Sequence, residues 1–573
     1  MAAIRGKVLR GYQRELTGPG LKGFNYIICA PTGSGKTHTA AWLCHRRMRE
    51  TEAEGRRFKA LFIVPTRHLK SQQRDAFLDL FDQSSAIIVT KTQQFRKNFE
   101  HPQTKALMIT AQILVNAIRE GNFTFQELSM LVFDECHHTT LNHPYNEIMR
   151  EYILEKKRLI DQDKKKRGSW LVGRPFGRLP QIIGLTASVG MGGSKDAVQH
   201  IIDLCANLDC SGVKTVTEEA NQRELQSINN PPELDDIIAT EPRRPSQVSS
   251  SFINLLKETM MEIERNQLVQ YLRVDVTDKT PNYGSEDYQT WIGPVMANAR
   301  EKKISGYLAV ASYLFKLNLA LMTFEDLPGR YVLLAMDKFL EQAREDFDSL
   351  PVGKACRQTY EKRLPQLKRL AEHEHPLEIP KLKSLVQLLE EMFRQRADAR
   401  GIILARTRFA TTALLDFINH SIRGKLSKYN IALRATRVVG QGKAVEDAQT
   451  QAKQEAALQE FRTGRANVLV ATDIVQEGLD VPACNFIIRY NFVSNEIGTV
   501  QAKGRARAID SQCFLIVESN SVNEHREQKN RKKVRDIEGA LRRINSMERE
   551  QWLGSVAQKQ ITILRELQRQ ELL

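Results

Sequence analysis

The sequence predicts an α/β protein in which two parallel-sheet domains are separated by a helical domain and followed by a helical tail. Three observations predict it. Short Ile- and Val-rich runs alternate with amphipathic stretches in the first third of the chain, the same alternation returns late in the chain, and strand patterns vanish between residues 241 and 371. A chain of 573 residues is also too long for one core.

In the first third the expected strands are residues 26–30, 60–64, 85–90, 106–110, 130–133 and 181–186. Near-continuous apolar runs of this length fit strands buried on both faces by crossover helices. Residues 400–405, 467–472, 486–491 and 513–518 repeat the pattern and predict the second sheet. In 304–324, Leu308, Ala311, Leu314 and Phe315 share one helical stripe, continued by Leu317 and Leu321. The tail, 521–573, is charged and poor in Gly and Pro, with Ile537, Leu541 and Ile544 at helical spacing. It is expected to form one or two long helices that lay apolar stripes on the other domains. The expected boundaries are 1–212 for the first sheet domain, 213–240 with 372–520 for the second, 241–371 for the insertion and 521–573 for the tail.

Composition narrows the class of partner. Lys and Arg outnumber Asp and Glu by 84 to 68, a net +16, which favours a polyanion. Eight scattered cysteines contain no C-x-x-C pair, which argues against a disulfide framework or a structural zinc site. No apolar run is expected to span a bilayer and the first residues lack a signal-peptide core, so a cytoplasmic protein without a membrane partner is expected. The basic run at 155–170 reads as a mobile surface loop, with contact to nucleic acid as the alternative.

The strongest chemical signal is "NYIICAPTGSGKTHTAAWL", residues 25–43. A strand enters a loop containing Gly33, Ser34 and Gly35, then Lys36 and Thr37 open a helix. Such a loop wraps phosphates with backbone N–H groups, Lys36 can reach the β and γ phosphates, and Thr37 offers a hydroxyl to Mg²⁺. It is a P-loop with Ala30 where the general pattern has Gly, and it implies ATP with Mg²⁺. About a hundred residues on, "MLVFDECHHTT" ends a buried run at two carboxylates. Asp134 fits the second protein ligand of the metal, and Glu135 fits the group that orients and deprotonates the attacking water. One of His137 and His138 reads as a hydrogen-bonded linker to a neighbouring loop.

"DECH" beside "APTGSGKT" resembles a superfamily-two helicase, and further motifs follow in order. The resemblance implies that Arg10 and Gln13 in "LRGYQ" read the adenine and that Asp480 meets the ribose. It implies that Thr186 and Ser188 of "LTAS" couple the nucleotide and strand sites. Gln501 would lie by the nucleotide, with Arg505 and Arg507 of "QAKGRARA" as arginine fingers; Ala508 stands where many helicases have an Arg. Thr66, Arg67 and Gln72 in "VPTRHLKSQQ", Thr110 and Gln112 in "TAQIL", and Arg406, Arg408, Gly440 and Thr472 in the second domain are the candidates for the nucleic-acid backbone track.

Finer stretches, "DECHHTTLNHPYNEIM", "HIIDLCANLD" and "RYNFVSNEIGTVQAKGRARA", resemble the RIG-I-like receptors, cytosolic sensors of double-stranded RNA. That resemblance implies two RecA-like P-loop domains, an all-helical insertion in the second and a C-terminal helical pincer. It implies a double-stranded-RNA-dependent ATPase with an innate-immune role and signalling partners that the sequence does not identify. A caspase-recruitment region and a zinc-binding RNA-end domain are absent from the sequence, which fits either a family member without signalling domains or a trimmed helicase core. A Dicer-type helicase module, a DNA-repair translocase and a nucleic-acid binder with a vestigial ATPase are the competing readings.

Overall fold

The structure, a computed structural model, describes residues 8–66, 69–163, 172–228, 236–271, 282–422, 433–440, 449–473, 481, 484–505 and 511–571. The first sheet contains β1 (Tyr26–Cys29), β2 (Ala60–Val64), β3 (Ala86–Ile88), β4 (Ala106–Thr110), β5 (Met130–Phe133), β6 (Gln181–Thr186) and β7 (Val213–Lys214), in the order β3-β4-β2-β5-β6-β1-β7. The second contains β8 (Asp236–Thr240), β9 (Gly401–Leu404), β10 (Ala435–Val438), β11 (Val468–Ala471), β12 (Phe486–Tyr490) and β13 (Gln512–Glu518), in the order β10-β11-β9-β12-β13-β8. Every neighbouring pair is parallel. Each expected strand is present. The unexpected ones, β7, β8 and β10, lie at sheet edges and are partly exposed, so they need no unbroken apolar run.

One expected boundary is corrected. Residues 213–240 were assigned whole to the second domain, but Val213 and Lys214 pair with Ile27 and Ile28 of β1. The following helix, Glu219–Ile228, sits on the helix Gly11–Leu21, where Glu15 binds Lys214 at 2.7 Å and Asn221 at 2.9 Å. Residues 213–228 therefore complete the first domain, and only β8 crosses to the second sheet.

Helices alone make up the described part of the insertion. Its helix Ser305–Phe324 is apolar and long enough by length and composition to cross a membrane, contrary to the sequence expectation, and it is buried on nearly every side within the insertion. A single continuous core joins the insertion to the second sheet, from Phe252 and Leu317 through Phe409 to Ile488. Asp326 fixes the junction, accepting from Asn491 Nδ2 at 3.0 Å and pairing with Lys381 at 2.7 Å.

The tail is two helices, Val522–Ser546 and Arg549–Glu571. Glu527 pairs with Arg489 of β12 at 2.9 Å, both side chains fully buried, which ties the first tail helix to the second domain. Further along, Ile537, Ala540, Ile544, Trp552 and Val556 enter the core of the first domain. The basic run expected as a loop is helical through Gln162, and Lys156 within it is buried against Asp209 at 2.7 Å; residues 164–171 lie outside the described part. Gln560 of the tail donates to that same Asp209 at 3.1 Å. A buried ion pair is costly unless its remaining lone pairs are satisfied, and the tail supplies one of the satisfying bonds.

Candidate active site and nucleic-acid cleft

The loop between β1 and the helix Lys36–Ala53 turns on two glycines with positive φ, Gly33 at 87° and Gly35 at 78°. A Cβ at Gly35 would lie 2.6 Å from Gln13 Nε2. That closeness reflects how the helix Gly11–Leu21 is pinned to the loop: Gln13 Nε2 and Tyr12 Oη donate to Ser34 O at 3.1 and 2.8 Å. Arg10 caps this helix, its backbone N–H donating to Gln13 Oε1 at 3.1 Å. Lys36 folds back into the loop and donates to the carbonyls of Ala30 and Pro31 at 2.8 and 3.1 Å. Burial lowers its pKa, against the opposing charges of Glu135 and Asp134.

At the end of β5, Glu135 takes a left-handed conformation, φ 48° and ψ 51°, which separates its side chain from that of Asp134. Asp134 Oδ2 accepts from Gln73 Nε2 at 2.7 Å, and Oδ1 accepts from the Glu135 backbone at 3.2 Å. Burial, then the charge of Glu135, push the Asp134 carboxyl up to about 7. Burial works against the Glu135 charge as well, but His137 and then Lys36 and His138 outweigh it and lower that carboxyl. The two neighbours thus differ: one is poised to need a cation, the other is ionised at neutral pH.

His137 supplies the expected link. Its Nδ1 lies 3.4 Å from Glu135 Oε2 and 3.0 Å from Thr186 Oγ1. Thr186 Oγ1 donates to Ser188 O at 2.6 Å, and Gly190 N donates to Ser188 Oγ at 3.3 Å. The next residue, Met191, donates its N–H to Glu496 Oε1 on the second domain at 2.9 Å. Closely spaced polar groups and the backbone of residues 186–191 therefore lead from Glu135 to the facing domain.

The second domain meets the P-loop at Gly504, where an added Cβ would lie 2.8 Å from Thr32 Cβ. Arg505 follows directly, buried, and its charge is among those lowering the Lys36 pKa. Gln501 is 1% exposed, and neither of its amide atoms has a hydrogen-bond partner among the described residues. Ser34 Oγ is likewise buried and without a partner among the described residues. Polar atoms buried without partners where two lobes close over a glycine loop fit a bound polyphosphate. The donor set also suits Mg²⁺: a hard cation that keeps phosphate and water oxygens needs little more than a hydroxyl such as Thr37 and a carboxylate such as Asp134. Arg507 and Asp480 lie outside the described residues.

A separate cleft of about 630 Å³ opens between the lobes, lined by Thr66 from the first and by Arg406, Arg408, Gly440, Thr472 and Asn495 from the second. Five of the residues expected on the backbone track converge there. Thr110 and Gln112 do not line it: Thr110 precedes the helix Ala111–Arg119, and Gln112 points to Asn116 at 2.9 Å. Arg67 and the side chain of Gln72 lie outside the described residues.

Sequence reasoning missed Gln73 and Glu496. Gln73 falls on the buried face of its helix with Leu69 and Phe77, four residues to either side, so helical spacing alone separates it from Gln72. Glu496 carried no local signal, because its partners lie on distant segments.

Comparison with known proteins agrees with this architecture. Residues 7–161 match the family model "Type III restriction enzyme, res subunit", 380–509 the "Helicase conserved C-terminal domain" and 242–372 the "RIG-I receptor C-terminal domain". The chain is 30% identical over 564 residues to the Antiviral innate immune response receptor RIG-I of Homo sapiens, covering 94% of this chain and 57% of that protein. To the ATP-dependent RNA helicase DHX58 of Mus musculus it is 28% identical, over 96% of this chain and 77% of the relative. Dicer-like protein 2 of Cryphonectria parasitica is 26% identical over 89% of this chain, which spans 34% of it. The two sheets are those of paired RecA-like helicase domains.

Proposed function

We propose, from the premise that this chain carries a RIG-I-like helicase core, that it is an ATPase switched on by double-stranded RNA. The observation that carries the reading is the approach of Gly504 and Arg505 to Thr32 and Lys36 across the domain boundary. Bound ATP with Mg²⁺ supplies the phosphoryl group and the charge that orients it. The backbone of residues 33–35 receives the phosphates, and Lys36 exchanges its two carbonyl bonds for phosphate oxygens. Thr37 and Asp134 would hold Mg²⁺, Arg10 and Gln13 would read the base, and Asp480, outside the described residues, would bind the ribose. Glu135, ionised, takes a proton from water, and His137 keeps it oriented through Thr186. Arg505, with Arg507, brings guanidinium charge to the developing phosphoryl charge; such fingers contribute about 10³–10⁵ in rate. Since the fingers sit on the second lobe, closure gates catalysis.

Duplex RNA hides its bases in a deep, narrow groove, so a motor holding it contacts phosphates and 2′-hydroxyls. Thr66, Arg406, Arg408, Gly440 and Thr472 supply that chemistry in the cleft, and the Thr186–Ser188 path couples it to Glu135. Detection of viral RNA in the cytoplasm is the role proposed for such a core. Dicer-like relatives favour a second reading, the helicase module of a Dicer-type protein.

ATP turnover with blunt RNA duplex, single-stranded RNA and DNA duplex tests the proposal, for the parent and Glu135→Gln. Stimulation by RNA duplex alone, lost in the variant while RNA binding survives, is expected. Equal stimulation by DNA duplex would favour a DNA translocase, and no stimulation by any duplex would leave a binder without a working motor.

A further inference from the structure

Arg406 on the wall of the interlobe cleft is paired with Glu286 of the insertion. Glu286 is the first residue of the helix Glu286–Glu301, behind the capping residue Ser285. Its second oxygen lies 3.9 Å from Arg526 Nη2 on the first tail helix. One carboxylate therefore stands between two guanidiniums that come from segments more than a hundred residues apart.

The position of Arg526 is fixed by its helix. Asn523 and Asn530, three residues before it and four after, donate to Asn491 O at 3.0 Å and to Ser494 O at 2.8 Å. Ser494 is itself part of the cleft wall. Arg526 is thereby held near the cleft without the sequence marking it as part of any motif. All three charged side chains remain substantially exposed, at 37% for Arg406, 50% for Glu286 and 42% for Arg526. An ion pair so exposed is weak and readily exchanged. The charge of Arg526 also lowers the pKa of Arg406, after burial, as expected for like charges brought together.

From this arrangement we infer that Arg406 and Arg526 form a two-guanidinium seat for one backbone phosphate of the nucleic acid, and that Glu286 occupies the seat until RNA displaces it. The inference rests on reading the cleft as a nucleic-acid track. Guanidinium forks suit phosphate and carboxylate oxygens alike, so the carboxylate of Glu286 competes directly with the ligand. Because the carboxylate belongs to the insertion, the exchange also frees the insertion from the tail on that side when RNA enters.

The test is the affinity of the full chain for a fluorescently labelled blunt RNA duplex across a salt series, for the parent, Glu286→Gln, Arg526→Ala and the double variant. Thermal unfolding of each is recorded alongside. Glu286→Gln is expected to bind about fivefold tighter, the scale of one exposed ion pair. Arg526→Ala should bind more weakly and reduce the magnitude of the salt slope by about 1, one phosphate contact. In the double variant the gain from Glu286→Gln should shrink, because one of the guanidiniums it frees is gone. Unchanged or weaker binding by Glu286→Gln overturns the inference, as does an unaltered slope in Arg526→Ala. Parallel loss of affinity and melting temperature in Glu286→Gln would make the pair a structural brace, which also overturns it. Failure of the parent to bind duplex at any salt would instead show that the reading of the cleft is wrong, and the inference falls with it.

Discussion

The proposed nucleotide face and the proposed nucleic-acid cleft lie between the same two lobes but are built in opposite ways. At the proposed nucleotide face the groups are buried or half-buried and held by hydrogen bonds: Lys36 on two carbonyls, Asp134 on Gln73, Thr186 on Ser188. At the cleft they are partly exposed, drawn from separate segments and held by exchangeable ion pairs such as Arg406 with Glu286. A site that positions a reacting phosphoryl group must be rigid, whereas one that tracks a backbone must let go.

This contrast breaks most visibly at Gly504. Its φ is ordinary, so a side chain there acts only by steric contact with Thr32. Gly504→Val should hold the lobes apart and lower RNA-stimulated turnover about a hundredfold, with RNA affinity much less affected, as read by phosphate release and duplex binding.

Next in size is the carboxyl of Asp134. Its folded pKa, about 7, lies above the unfolded value of roughly 3.9. Between those values the folded state binds more protons, so this group makes stability fall as pH rises from about 4 to 7 and keeps it low above. In thermal unfolding without nucleotide or Mg²⁺, Asp134→Asn should be more stable than the parent at pH 8, by about 2–4 kcal/mol, and lose the difference at low pH. An equally stable variant at pH 8 would remove the rigid, desolvated character assigned to this face.

The smallest effect belongs to the cleft. Arg406→Ala should weaken duplex binding about fivefold and flatten its salt dependence by about one contact, measured by anisotropy. A loss as large as that of Gly504→Val would erase the contrast between the two sites.

How much of each region was legible follows the same division. The P-loop and the carboxylate pair are contiguous motifs at strand ends, and their chemistry is written in local spacing. Central strands announced themselves because burial on both faces demands unbroken apolar runs such as "ALFIV" and "MLVF". Edge strands β7, β8 and β10 carry partly exposed residues and gave no such run, which is why the domain boundary was drawn before β7. Helical spacing in Ser305–Phe324 marks one apolar stripe, but the helix lies at the centre of the insertion, where neighbours cover it on nearly every side. Gln73 was legible in principle, since its spacing from Leu69 and Phe77 puts it inside. Glu286, Glu496 and Arg526 were not, because their partners are fixed only by the assembled lobes.

The central claim is that a guanidinium on the second lobe acts on a nucleotide held by the first. It is tested most directly by phosphate release from the parent and Arg505→Ala at saturating ATP and blunt RNA duplex. The account predicts that RNA stimulates the parent and that turnover in the variant falls about a thousandfold or more at undiminished RNA affinity. A variant stimulated as strongly as the parent would contradict it.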